Sequence, residues 1–457
     1  MCIFPEVKMK KPYTMNSSDR PLKVAFVHQP WSVVEPPVRV NDSIARVTDE
    51  VARCLVDRHC DVICYSRQGK RQPEYQTHAG VKYHRVPVSI DRWVKKSFDI
   101  LSERGWENSK RPFYSSKWCY RKFFSEVAED LRHENPDVIH LHNFSQFIPV
   151  VRQACPNTKI VIHMHCEWLN RLDPAMIGPR LAQVDMVVGV SEYITDLVRK
   201  AFPAYAEKCQ TVYNGVDIDK FHPASGARGR IEMTGHRVIY IGRVSPEKGL
   251  HVLVDAFAKV RERFPDAQLD VLGGQHVQPR AFYLAAEANN PILRSLEPFY
   301  HAGSYMRQMK ARAGENNGIT FHGDVDHAKI AEILATADLF VQPSVWNEPF
   351  GMPLAEAMAC GVAAVATRVG GQPEIVEDGR TGLIVNSNDP AALAAAIIRV
   401  LEDDTARAAM GEAGRRRARA SFSWQHVADK LLGFYEQLTD RLPANPPKME
   451  WSTVKAG

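Results

Sequence analysis

Two doubly wound α/β domains, placed in succession and facing across a cleft, are expected of this chain on three grounds. Short runs rich in Val and Ile alternate with helical patterns through most of the sequence. The runs are too apolar on both faces for exposed strands, which calls for parallel sheets covered by helices. The alternation breaks once, over 221–234, where Pro223, Gly226, Gly229 and several charges interrupt it, and then resumes.

The first series of runs covers 22–28, 61–66, 138–142, 160–165, 186–190 and 211–213. The second covers 238–242, 269–272, 319–321, 339–342, 363–366 and 383–385, with helices such as 250–264 and 391–402 between them. Two successive βα series imply two Rossmann-like domains, over 21–225 and 226–422. A last helix follows over 423–440, opened by Ser421-Phe422-Ser423-Trp424. Residues 1–20 and 441–457 are polar and read as disordered tails.

Bulk properties narrow the class. A chain of 457 residues exceeds what one core holds, and 45% hydrophobic with 24% charged residues suits a soluble globular protein. A net charge of +5 is modest at this length and does not point to nucleic acid. No run of about 18 apolar residues is present, so no transmembrane helix is expected. The first residues carry charges and Pro with no apolar core, unlike a signal peptide. Nine cysteines without CxxC pairs fit a reducing, cytoplasmic setting.

The segment 344–371 carries the most chemistry. Glu348 and Glu356 stand on either side of a loop-to-helix junction formed by Phe350-Gly351-Met352-Pro353, and Pro353 suits a first helical turn because its missing N–H is not needed there. The amides of Gly351 and Met352 then lie at the positive end of a helix, a site for a diphosphate. Earlier, Arg243 falls at the end of the 238–242 run, where open α/β sheets bind ligands, and Lys248 follows near a helix start. Two such cations neutralise the charge that develops on a departing nucleoside diphosphate. No GxGxxG follows the first run, which argues against a dinucleotide-dependent dehydrogenase.

With these residues in view, the chain resembles the family-4 retaining glycosyltransferases of GT-B fold. The matching pieces are Gly242-Arg243, Glu247-Lys248-Gly249, the pair Glu348 and Glu356, and Gly370-Gly371 with Glu374. Asn214-Gly215-Val216-Asp217 with Phe221, and Asp378-Gly379 before Thr381-Gly382-Leu383, add support. The resemblance implies an acceptor-binding first domain, a donor-binding second domain, and a last helix packed back on the first. It implies that Arg243 and Lys248 bind the donor diphosphate, Glu348 the transferred sugar and Glu356 the ribose. Gly351, Met352 and Pro353 would complete the pocket, Val325 in the turn Gly323-Asp324-Val325 would meet the base, and His165 would stand beside the sugar. The implied partners are a nucleotide-sugar donor, most readily a UDP-sugar, and a glycan or lipid-linked acceptor, with no metal and no other cofactor. A sucrose- or glycogen-type synthase, or a carbohydrate-binding scaffold without catalysis, are the alternatives.

One stretch departs from the family. Asp42 and Ser43 stand where a Gly-Gly loop is usual, and their side chains obstruct the close backbone approach that glycines allow. Ser43 offers a hydroxyl instead, and Arg39 a contact for an anionic acceptor; a plain structural loop is the other reading. His140, His142, His163 and His165 invite a metal reading, but strand-end histidines in a polar cleft are the commoner case. Asp217-x-Asp219 and Asp324-x-Asp326 fall inside matching stretches and read as coincidence with the DxD metal motif. Residues 92–122 hold nine Lys or Arg against three acids, with Trp93, Phe98, Trp106, Phe113, Tyr114 and Trp118 interleaved. Such a region suits either a peripheral contact with an anionic membrane or a solvated helix face.

Overall fold

The computed structural model describes residues 20–36, 42–103, 108–223, 236–277, 290–301, 303–315 and 317–441. Arg39, Trp106, most of both expected tails and the junction 224–235 lie outside the described residues.

The first sheet has eight strands in the order β3-β4-β2-β1-β5-β6-β7-β8. They are β1 Lys23–Val27, β2 Asp61–Arg67, β3 Tyr75–His78, β4 Val81–Val86, β5 Val138–His142, β6 Lys159–Met164, β7 Met186–Gly189 and β8 Cys209–Thr211. All pairs are parallel except β3 with β4. That antiparallel pair corrects the expectation of a wholly parallel sheet. A two-residue turn joins it, with Ala79 and Gly80 at φ 47° and 78°, the left-handed pair that matches strand twist in a tight hairpin. β3 is a polar edge strand with Tyr75 exposed, so it gave no apolar run to read.

The second sheet is parallel throughout, in the order β11-β10-β9-β12-β13-β14. Its strands are β9 Arg237–Ile241, β10 Gln268–Leu272, β11 Ile319–Gly323, β12 Leu339–Gln342, β13 Ala363–Thr367 and β14 Gly382–Val385. β5, β12 and β13 are buried at every position, as strands covered on both faces must be. Strand order reverses beside β1 in the first sheet and beside β9 in the second, and each reversal opens a crevice at the carboxyl ends of the strands.

Four helices position what lies in those crevices. Ser43–Val56 buries Ala45, Val47, Thr48, Val51, Ala52 and Leu55, a stripe at helical spacing, and Asp42 caps it by accepting from the Ile44 and Ala45 amides at 3.0 Å. Met352–Ala359 begins at Gly351, whose φ of 116° suits glycine, and nearly all of its residues are buried. The Arg- and Ala-rich helix Asp404–Ser421 crosses it at Gly411, where a Cβ would collide with the Gly361 carbonyl. The last helix, Trp424–Leu438, packs on Ser43–Val56, with Arg58 Nε 2.5 Å from Asp429 Oδ1. The chain reaches it at Phe422, whose carbonyl accepts from the Val216 amide at 2.6 Å.

Candidate active site

A cavity of about 780 Å³ lies at the carboxyl ends of both sheets. Asp42, Ser43 and His165 line it from the first sheet's side; Arg243, Lys248, Val325, Glu348, Gly351, Met352, Pro353 and Glu356 line it from the second. The described residues expected around a donor and at the altered Asp42-Ser43 loop therefore share one space.

Glu348 is buried, and its Oε1 is a focus of donors. Lys248 Nζ, Ser344 Oγ at 2.8 Å and Trp346 Nε1 at 3.0 Å all converge on it. Burial alone would raise this carboxyl, but the Lys248 charge and the three hydrogen bonds outweigh it and hold it below the ordinary 4.5. Gly370 explains the neighbouring glycines. At φ 53° it passes so close to the Glu348 backbone that any Cβ would collide, and the next amide, Gly371, donates to the Glu348 carbonyl at 2.7 Å. Arg243 is held by fully buried Glu247, with Nη2 3.0 Å from Oε1, while Nη1 donates to the His276 carbonyl at 3.2 Å.

Glu356 draws in three residues that the sequence reading missed. His327 Nε2 lies 2.8 Å from Oε1, and Arg46 Nη1, from the first sheet's side, lies 3.4 Å from the same oxygen. Lys220 donates to His327 Nδ1 at 2.9 Å, which leaves the Nε2–H to point at Glu356. Burial would raise the Glu356 carboxyl; the His327 hydrogen bond, then Arg46 and Lys220, bring it below its ordinary value instead. Neither Arg46 nor Lys220 belongs to a run with a pattern of its own, so only the folded chain reveals them.

His165 stands at the head of a buried polar ladder. Its Nε2 lies 2.8 Å from His142 Nδ1, and its amide donates to Asn143 Oδ1 at 2.7 Å. His142 Nε2 and His28 Nδ1 both lie 3.2 Å from Thr48 Oγ1. His28 Nε2 is 2.8 Å from Ser32 Oγ, which donates to Asp42 Oδ2. Asp42 thus ends the ladder and caps the helix at once, a structural role for the residue that replaces glycine. A side branch joins His163 to His140 at 3.1 Å and His140 to the Tyr435 hydroxyl at 2.7 Å. Burial pushes His28 down to about 4 and His163 to about 3, and takes His140, His142 and His165 well below 6.5. Nitrogens of His140, His142 and His163 lie within 4.8 Å of one another, close enough for a metal ion to be considered. The nitrogens named above already serve one another, Tyr435 and Thr48.

The Asp-x-Asp stretches have local duties. Asp217 Oδ1 accepts from the Asp219 and Lys220 amides at 3.1 and 3.0 Å, and Asp326 caps the helix His327–Leu334. Asp324 accepts from the Gly274 amide at 3.0 Å, which fixes the turn carrying Val325. Glu374 accepts from the amides of Glu192 and Tyr193, both at 2.7 Å, and so ties the second sheet's side to a helix of the first, Glu192–Ala201. Within 92–122, Trp93 and Trp118 are 73% and 50% exposed, and the Arg121 guanidinium lies 4.6 Å from the Trp118 ring centre. No described helix is long and apolar enough to cross a membrane.

Comparison with known proteins agrees with this architecture. The family described as Glycosyl transferases group 1 matches residues 225–417, and Glycosyltransferase Family 4 matches residues 44–220. Spore coat protein SA of Bacillus subtilis is 28% identical over 330 residues, covering 69% of this chain and 82% of that protein. A phosphatidyl-myo-inositol mannosyltransferase of Mycobacterium tuberculosis is 29% identical over 319 residues, covering 68% and 76%. Among solved structures, sucrose-phosphate synthase from Thermosynechococcus elongatus superposes with a TM-score of 0.67 at 22% identity, covering 92% of this chain and 100% of that one. Anabaena HepE in complex with UDP-glucose superposes with a TM-score of 0.60 at 20% identity, covering 91% and 100%. At these identities the two structures speak for the GT-B fold alone.

Proposed function

The chain belongs to the group 1, family-4 glycosyltransferases, and from that premise we propose that it moves a hexose from a UDP-sugar to a glycan or lipid-linked acceptor with retention of anomeric configuration. The observation that carries the reading is the Lys248–Glu348 pair set beside the Gly351–Pro353 helix start on one cavity wall. A cation already neutralised by a sugar-binding carboxylate, with helix amides next to it, suits a ligand that joins a hexose to a diphosphate.

Bond breaking leaves cationic character on the sugar and negative charge on the diphosphate. Arg243, Lys248 and the helix start stabilise that anion, so the reaction needs no metal to balance it. Glu348 orients sugar hydroxyls and Glu356 the ribose. The acceptor hydroxyl attacks from the face that the diphosphate leaves, and a phosphate oxygen takes its proton. His165, kept neutral by burial, faces the sugar as a hydrogen-bonding group rather than as a cation. The exposed, cation-flanked Trp118, with Trp93, supports a peripheral contact with anionic lipid at the cytoplasmic face of the membrane.

The test is donor hydrolysis with a panel of UDP-, GDP- and ADP-sugars, with the released anomer followed by NMR. Hydrolysis of a UDP-sugar with initial retention is expected, and Arg243→Ala should lower kcat roughly 10²–10³-fold, the usual loss for one charge-stabilising donor. Binding of none of the donors, or an unchanged kcat in Arg243→Ala, would refute the reading.

A further inference from the structure

Among the described residues, four Lys or Arg side chains line the cavity: Arg46, Arg67, Arg243 and Lys248. Three of them face a carboxylate, Glu356, Glu247 and Glu348 respectively. Arg67 is the exception. It ends β2, on the same side of the cleft as Val33, Asp42 and Ser43. Among the described residues no carboxylate lies within ion-pairing distance of it, and its Nε is shut off from solvent with no hydrogen-bond partner. A half-buried guanidinium left in that state is unfavourable, because it loses water without gaining an acceptor.

The surroundings make the deficit larger. Burial pushes the Arg67 guanidinium below its ordinary value, and the charge of Arg92, on the helix Ser89–Glu103, pushes the same way; Tyr120 opposes them only weakly. Asp42 is on the same wall, but its two oxygens are taken by the Ile44 and Ala45 amides and by Ser32. The cations for the donor diphosphate come from the second sheet, whereas Arg67 comes from the first.

We propose that Arg67 is an anion subsite for the acceptor and binds a phosphate group that the acceptor carries. The proposal rests on the transferase reading and names the acceptor's chemical class. A planar fork of N–H donors matches two phosphate oxygens at once. A phosphate monoester, with up to two charges, also relieves the repulsion between Arg67 and Arg92, which a single carboxylate does less well. The phosphate can belong to a soluble sugar phosphate or to a phospholipid headgroup.

The experiment compares wild type, Arg67→Gln and Arg67→Lys, each with and without saturating UDP. Calorimetric UDP binding comes first; it reports the donor site and the integrity of the fold independently of the acceptor. Phosphorus NMR line broadening then follows glucose 6-phosphate, with saturation-transfer NMR of glucose as the uncharged control. Co-sedimentation compares vesicles of phosphatidylinositol 4-phosphate, whose headgroup carries a phosphate monoester, with phosphatidylcholine vesicles. One of the two phosphate probes should bind wild type better than its neutral counterpart. Arg67→Gln should weaken that binding roughly tenfold, the scale of losing one charge-assisted contact, with UDP affinity unchanged. Arg67→Lys should fall between. The arm that responds tells the sugar phosphate from the lipid, and the Gln variant separates Arg67 from the basic residues 92–122. Equal binding by wild type and Arg67→Gln, or no preference for either phosphate probe, overturns the proposal. Loss of UDP binding in wild type would instead refute the donor reading, and the arms without UDP would still judge Arg67.

Discussion

Arg46 and Glu356 meet across the cleft, with Nη1 3.4 Å from Oε1, although 310 positions separate them in the chain. Glu356 is thereby held from both sides, by Arg46 of one half and His327 of the other. A ribose placed there, as proposed, would share the carboxylate with an arginine from the first sheet's side. Glu356→Gln should therefore weaken UDP binding by about tenfold or more, since a hydrogen bond to a charged group is worth about 1.5–3 kcal/mol. Calorimetry on the folded variant reads the change directly.

Lys248 and Glu348 give a prediction with two parts. Lys248→Ala leaves a buried carboxylate without its cation, which should cost about 3 kcal/mol of stability as well as activity. Adding Glu348→Gln should restore most of the stability in denaturant titrations and none of the transferase rate. Recovery of both together would mean that the pair acts only on the fold.

The histidine ladder predicts a pH dependence of stability. His28, His140, His142, His163 and His165 titrate lower in the folded chain than their ordinary 6.5, with burial as the main cause. The unfolded chain binds more protons below 6.5, so stability is fully present above that pH and falls as pH drops toward 4. A ring that stays neutral while its unfolded counterpart is protonated contributes at most about 1.4 kcal/mol per pH unit. The melting temperature should drop steeply between pH 6.5 and pH 5, with proton uptake on unfolding, and His163→Gln should make the slope shallower.

Gly370→Ala tests the support behind Glu348. The added Cβ has no room against the Glu348 backbone at φ 53°, so the loop must shift. A strained backbone of this kind is worth about 1–3 kcal/mol. UDP affinity should fall together with the melting temperature, while Gly314→Ala, at a position with open space around it, should carry the strain of its φ of 76° without touching the site.

Sequence and structure agree where apolar runs are long and buried. The runs 138–142 and 339–342 coincide with β5 and β12, and the others with a shift of a few residues. The β3–β4 hairpin escaped because its strands are largely polar, and Asp404–Ser421 because its buried face is made of Gly411, Gly414 and Ala418 rather than large side chains. Within the candidate site, residues on short motifs such as Arg243, Lys248, Glu348 and Glu356 could be singled out from their spacing. Arg46, Lys220 and His327 could not, because what makes them matter is a contact between distant segments. Asp42 shows a different limit: its residue type signals a helix cap as readily as a replaced glycine, and the structure shows the cap.

The Val216–Phe422 hydrogen bond has a mechanical meaning. The chain passes between the two sheets once after β8 and returns near Phe422, and the two passages are fastened side by side at that bond. Two tethers joined at one point resist sliding and twisting but leave rotation about the line through them. Widening of the cleft about that jamb would part Arg46 from Glu356 and Glu374 from the Glu192 and Tyr193 amides. Groups beside the hinge keep their spacing, and those farthest from it, on either rim, travel most.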